Sequence, residues 1–165
     1  MLDNRDIPKG EIEMTENNTI KRNTPNKRFS IAANLVLLVW FSLDIIGVYF
    51  DTGYLVTRSW RDDGIYFVIF LTTLLLYLFK EKIGKYFLSA WLFIWLMTQF
   101  INHEWFTIAG GGNRKIEYFQ DALKWAASET RYIPDVYHTI LHLLILSALL
   151  TTIIYLIRIR RKLYL

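Results

Sequence analysis

Four stretches of this chain, 30–50, 65–79, 86–102 and 136–157, hold one formal charge between them, Asp44. A water-soluble helix of comparable length keeps a charged stripe toward solvent, and these stretches have none. Each is expected to cross a bilayer, since about 20 helical residues rising about 1.5 Å apiece cover about 30 Å of hydrocarbon. The stretch 65–79 is short by that measure. Trp60 at one interface and a snorkelling Lys80 at the other would complete it. Only Lys80 to Lys85 join the second and third stretches, which demands an antiparallel pair. The expected fold class is therefore all-α: a polytopic membrane protein built as a four-transmembrane-helix bundle.

Orientation follows from the basic residues that flank the spans. Residues 1–29, the 80–85 turn and the tail from Arg158 carry six, three and four Lys or Arg. The segments 51–64 and 103–135 together carry six, against eight Asp or Glu. The first set belongs in the cytoplasm, so both termini are expected inside a cell membrane and the two longer loops outside. Residues 1–28 mix charge with Asn and Thr and lack an apolar period, which reads as a flexible cytoplasmic arm. Residues 29–157 form the membrane domain, and 158–165 a basic cytoplasmic tail that suits anionic lipid better than nucleic acid. Composition narrows the chemistry further. With no cysteine, thiol nucleophiles, disulfides and Cys-ligated metal centres are excluded.

The outer loop 103–135 contains a second pattern. After Gly110-Gly111-Gly112, the residues Ile116, Phe119, Leu123 and Ala126 recur at helical spacing, with Lys115, Glu117, Asp121 and Lys124 as their polar complement. This predicts an extracytoplasmic, interfacial amphipathic helix between spans three and four, over about 114–130. The glycines read as a hinge before it and not as a phosphate cradle, because no Gly-Lys-Ser/Thr follows. The first outer loop, with Arg58, Arg61, Asp62 and Asp63, reads as a solvated turn ending at Gly64.

All three histidines of the chain fall at the outer ends of consecutive spans. His138 and His142 share one helical face at i,i+4, while His103 and Glu104 follow span three. Asp44 lies about two turns inside the outer end of span one, with Asp51 and Asp135 near the rim. An ionisable group in the bilayer costs about 2.5–3.5 kcal/mol on insertion scales, so it faces the interior and finds partners. These residues are expected to form a polar pocket open to the extracytoplasmic side.

Several chemistries suit such a pocket. His138, His142, His103 and Glu104 are candidate ligands for a divalent transition metal such as zinc. The same residues with Asp44 are candidate catalytic groups: an imidazole base, Glu104 to orient or deprotonate, and Asp44 to fix a histidine tautomer. A haem between facing histidines is a more distant possibility. The plainest alternative makes the histidines structural, with His142 hydrogen-bonded to Asp44, Asn102 or Gln99. As an enzyme, the protein would act on a lipid or lipid-linked substrate. The rival classes are an accessory subunit that binds another membrane protein or itself, and a small transporter or channel component with Asp44 and the histidines as an ion or proton relay. No stretch matches a family motif, and nucleic acid is not an expected partner.

Overall fold

The computed structural model describes residues 24–163, with side chains described over 26–159; the greater part of the N-terminal arm lies outside the described residues. The order is α1 (Thr24–Ile46), β1 (Val48–Phe50), β2 (Gly53–Val56), α2 (Trp60–Phe79), α3 (Glu81–Gln99), a π-helical turn (Phe100–Glu104), α4 (Trp105–Ala109), α5 (Asn113–Tyr118) and α6 (Val136–Leu163). Three helical stretches, Asn26–Ile46, Trp60–Phe79 and Val136–Ile159, are long and apolar enough to cross a membrane. α3 opens on Glu81, Lys82 and Lys85 and does not stand among them.

The inward stripe of α1 reads Ser30, Asn34, Leu37, Phe41, Asp44, alternating steps of four and three that keep all five on one buried face. α6 answers with Tyr137, Leu141, Ile145, Ala148, Thr152 and Tyr155. Phe70, Leu74 and Tyr77 of α2 and Leu88, Leu92 and Trp95 of α3 complete the core. α1 packs on α6, α6 on α3, α3 on α2 and α2 on α1, so the four long helices enclose one interior. Their outward faces are apolar as well: Val39, Val68, Phe93, Leu143 and Leu150 are all exposed. Water would not tolerate such continuous apolar walls, and lipid does.

Polar groups within the interior are mostly paired along α1 and α6. Ser30 Oγ and Thr152 Oγ1 are 2.9 Å apart, and the Asn34 amide donates to Ser30 O at 2.8 Å and to Thr152 Oγ1 at 3.2 Å. At the same end of the fold, Glu81 accepts from Lys27 and from the Tyr155 hydroxyl, tying α1, α3 and α6 together.

Element boundaries differ from the sequence pattern at identifiable points. The first helix stops at Ile46 because Gly47 takes a left-handed φ of 83° while its N–H closes on Leu43 O. The apolar run Val48-Tyr49-Phe50 then pairs antiparallel with Gly53–Val56 as a β-hairpin. The connection between α2 and α3 is Lys80 alone, in place of the expected six residues. That sharpness needs Gly84, since a Cβ there would lie 2.3 Å from the Leu76 backbone. Asp62 and Asp63 belong to the first turn of α2, which begins at Trp60 and not at the expected Ile65.

The loop helix is the largest departure. It covers only Asn113–Tyr118, and the segment from Phe119 to Asp135 is non-helical. Backbone pairing holds that segment instead: Tyr54 N donates to Asp121 O at 3.1 Å, and Leu123 N donates to Tyr54 O at 2.9 Å. Ala122 thereby adds to β2 as a parallel bridge, and the glycine run is tied down by Tyr132 N donating to Gly111 O at 2.9 Å. The apolar period was real, but Phe119 packs inward among the rings of His103, Tyr132 and His138 while Leu123 and Trp125 stay exposed. A tertiary contact thus overrode a helix too short to be stable alone.

Candidate functional site

The hairpin, the π turn, α5 and the start of α6 meet at one end of the helices. There they enclose a cavity of about 250 Å³. Asp44 reaches it from α1, Asp62 and Asp63 from α2, His103 from the π turn, Lys115 from α5, and Asp135, Tyr137 and His138 from the start of α6. The backbone couples two of these walls, because Ser59 N donates to Asp44 O at 2.9 Å just before α2 begins.

Asp135 anchors the most defined unit. It is buried, its Oδ1 accepts the His138 backbone N–H at 3.0 Å, and both carboxylate oxygens lie within hydrogen-bond reach of His138 Nδ1, at 2.9 and 2.8 Å. One side chain therefore caps the N-terminus of α6 and fixes an imidazole. A carboxylate only accepts, so His138 Nδ1 must carry the proton, and in the neutral ring Nε2 is left as the basic nitrogen.

His103 lies against that ring, the centroids 4.3 Å apart and the planes 24° from parallel. Its Nδ1 is 2.8 Å from the Tyr132 hydroxyl. Burial raises the Tyr132 phenol above its ordinary range, with the Asp135 and Glu104 charges reinforcing it, so the hydroxyl keeps its proton and donates. Burial likewise pushes the His103 imidazole well below the usual histidine range, and His138 and Lys115 add to the effect. A neutral His103 that accepts at Nδ1 presents Nε2–H as a donor. The His103–His138 pair so offers one proton donor and one base. Burial also lowers Lys115, whose Nζ stands 5.5 Å from the Tyr132 ring centroid and 5.8 Å from that of Phe106.

The His142 ring stands edge-on to that of His103, the centroids 5.4 Å apart, and 6.4 Å from that of His138, but neither His142 nor Glu104 lines the polar cavity. His142 Nδ1 bonds Glu104, and its Nε2 is 3.3 Å from Gln99 Oε1, so both ring nitrogens are engaged. This pair lines a separate apolar groove of about 320 Å³ between α3 and α6, with Leu96, Met97, Phe100, Leu143 and Leu146. His103 and Glu104 are consecutive on the π turn and so point in different directions, His103 inward and Glu104 to His142 of α6. Of the expected partners of His142, Gln99 is the one it meets.

The expected pocket residues therefore divide. His103, His138 and Asp44 share the polar cavity, while His142 and Glu104 form their own pair. Asp44, expected to fix a histidine tautomer, makes no bond to an imidazole among the described residues; Asp135 fills that role. Among the described residues, no set of three or more His, Asp or Glu side chains is arranged to hold a metal ion. Tyr132, Lys115 and the Asp62-Asp63 pair were not singled out from the sequence. The start of α2 had a readable signal, since Ser59-x-x-Asp62 before an apolar run is a helix-start pattern. Tyr132 had none beyond its place in an aromatic belt.

The fold and cavity define a helical protein with three helices able to cross a membrane and an acid-rich, aromatic cavity at one end, which fits an integral membrane protein. A scan against protein-family models and searches of curated proteins and of solved structures returned no match to this chain.

Proposed function

We propose that the chain is a four-span membrane enzyme, with α3 as the third span, both termini cytoplasmic and the cavity opening at the extracytoplasmic interface. In this reading His138 Nε2 is the general base. It takes the proton of an attacking water or hydroxyl, while His103 Nε2–H steadies the charge that develops and Asp135 holds the base in its working tautomer. The substrate is amphiphilic: its polar end enters the cavity and its apolar part stays in lipid. The observation that carries the reading is the Asp135–His138 geometry, a buried carboxylate clamped on Nδ1 beside a cavity that Nε2 can serve. An accessory subunit or an ion relay has no need of a base oriented in this way.

The test uses the full chain reconstituted in vesicles of phosphatidylethanolamine and phosphatidylglycerol, with lipid products followed by mass spectrometry. Headgroup or acyl cleavage by the native protein is expected to fall by about 100-fold or more in His138→Gln, as for removal of a general base. Intact lipids in every sample would refute the enzyme reading and favour the subunit, and equal turnover by native protein and variant would refute the base role of His138. Topology is checked separately. The chain has no cysteine of its own, so Gly111→Cys gives one labelling site, expected to react only from outside.

A further inference from the structure

Asp44 is 4% exposed, lines the cavity, and its Oδ2 is buried with no hydrogen-bond partner. The Tyr137 hydroxyl, 1% exposed and lining the same cavity, is also unpartnered. Two orphaned polar atoms against one cavity are costly in a folded chain, because an unmet buried group forfeits its hydration without return. Such groups mark where a ligand supplies the missing contact. One further orphaned atom borders a cavity, Glu104 Oε2 beside the α3–α6 groove, but no second one joins it there; the unpartnered atoms of Asn34, Tyr77, Trp91 and Trp95 are reached by no cavity among those described.

The chemistry of the walls selects the ligand. Asp62 and Asp63 join Asp44, and Asp63 is the charge that most affects it. Asp135 is committed to His138. Lys115, the lysine that lines the cavity, sits over the Tyr132 and Phe106 rings on the loop side. The α1–α2 wall is thus acidic. A metal ion is a poor fit, because no three His, Asp or Glu side chains among the described residues are set to hold one. An organic cation fits better. Phe41, Tyr66 and Tyr137 line the cavity beside Asp44, and aromatic faces attract an ammonium group as a carboxylate does.

We propose that the cavity binds an ammonium group, with Asp44 as its counter-ion and the Tyr137 hydroxyl as a second contact. This rests on the cavity and not on the base role of His138, and it narrows the amphiphile of the preceding reading to one whose polar end carries an amine. The ammonium belongs either to a lipid headgroup or to a free small amine, and the experiment separates these sources.

Thermal unfolding of the full chain in a neutral detergent is followed against choline, ethanolamine and 3,3-dimethylbutan-1-ol, the uncharged isostere of choline. Parallel samples contain phosphatidylethanolamine or phosphatidylglycerol. A saturable rise in the midpoint is expected with the amines and not with the isostere. A response to phosphatidylethanolamine at far lower concentration than to ethanolamine assigns the site to a lipid; the reverse assigns it to the free amine. Asp44→Asn is expected to weaken the amine response about tenfold or more, as for loss of a charged hydrogen-bond partner. Asp51→Asn, on the exposed hairpin turn, leaves it unchanged. Should Asp44→Asn not fold, Asp63→Asn and Tyr137→Phe must each weaken the response severalfold. An equal shift with the isostere, no shift with any amine, or undiminished affinity in the folded variants would overturn the proposal. His138→Gln separates the two readings, since it should abolish turnover and leave amine affinity within about twofold, the ring being a cavity wall and not the counter-ion.

Discussion

Asp135→Ala removes an acceptor from two donors at once, the His138 backbone N–H at 3.0 Å and the His138 Nδ1–H at 2.8 Å. Loss of a helix N-cap costs about 1 kcal/mol, and a hydrogen bond to a charged group contributes about 1.5–3 kcal/mol. Both bonds end on one carboxylate, so the terms do not add in full, and the expected destabilisation is about 2–4 kcal/mol. Asp135→Asn distinguishes the two roles. Its amide oxygen still caps the helix, which limits the cost to about 1 kcal/mol. Its NH₂ group, however, then faces Nδ1 and requires that nitrogen to accept. The imidazole proton is displaced to Nε2, and the base of the proposed mechanism is gone. Reversible unfolding in mixed micelles measures the first effect, and ¹⁵N NMR of histidine-labelled protein reads the second directly. The cap-and-clamp account fails if Asp135→Ala lies within about 0.5 kcal/mol of the native chain, below the smallest cap effect. It fails equally if His138 keeps its Nδ1–H in Asp135→Asn.

The His103 shift has a definite sign. Its native pKa is depressed by burial, so below about pH 6.5 the unfolded chain binds a proton that the native chain refuses. Stability from this group is complete above that pH and falls as the pH drops, by up to about 1.4 kcal/mol per unit; His103→Gln should flatten the slope in unfolding titrations, and an unchanged slope would contradict it. Tyr132→Phe strips the donor from buried His103 Nδ1 and should cost about 1–3 kcal/mol by the same unfolding assay. At the other end of the helices, Thr152→Val keeps the side-chain volume but breaks the bonds to Ser30 and Asn34. A loss of about 0.6–1.7 kcal/mol is expected there, the range for hydrogen bonds between membrane helices.

The helical course was legible because charge expulsion is a property of long windows, and a window of about 20 residues averages over local exceptions. Boundaries are set by single residues, and there the pattern misled. Gly47 ends α1 four residues before the apolar run does, and Val48-Tyr49-Phe50, apolar enough to continue a span, pairs as a strand. At 116–126 the period was present, but periodicity says nothing of what a ring meets in space, and Phe119 meets His103 and His138. His103 and His138 were legible at the same end of the fold, but their contact was not, because spacing alone leaves the rotation of each helix about its axis free. That the His142 nitrogens would bond Glu104 and Gln99, with the ring edge-on to His103 but outside the cavity, depends on the same rotation.

One seam on α1 separates structural polarity from functional polarity. Ser30 and Asn34 lie on the same buried stripe as Asp44, three polar intrusions into an apolar helix of which Asp44 alone is ionisable. Ser30 and the Asn34 amide find donors and acceptors on α6 within the chain, and packed side chains surround them. Neutral groups bonded between α1 and α6 in this way fix helix register, and the Asn34 Oδ1 left over faces no cavity among those described. Asp44 is the ionisable member of the stripe, sits where α1 is about to end, and leaves Oδ2 unmet against a cavity. Packing alone would favour an apolar residue there, because burying a carboxyl group with one oxygen unmet destabilises the fold while a leucine would not. The two ends of one stripe therefore obey different requirements, registry at Ser30 and Asn34 and ligand capture at Asp44.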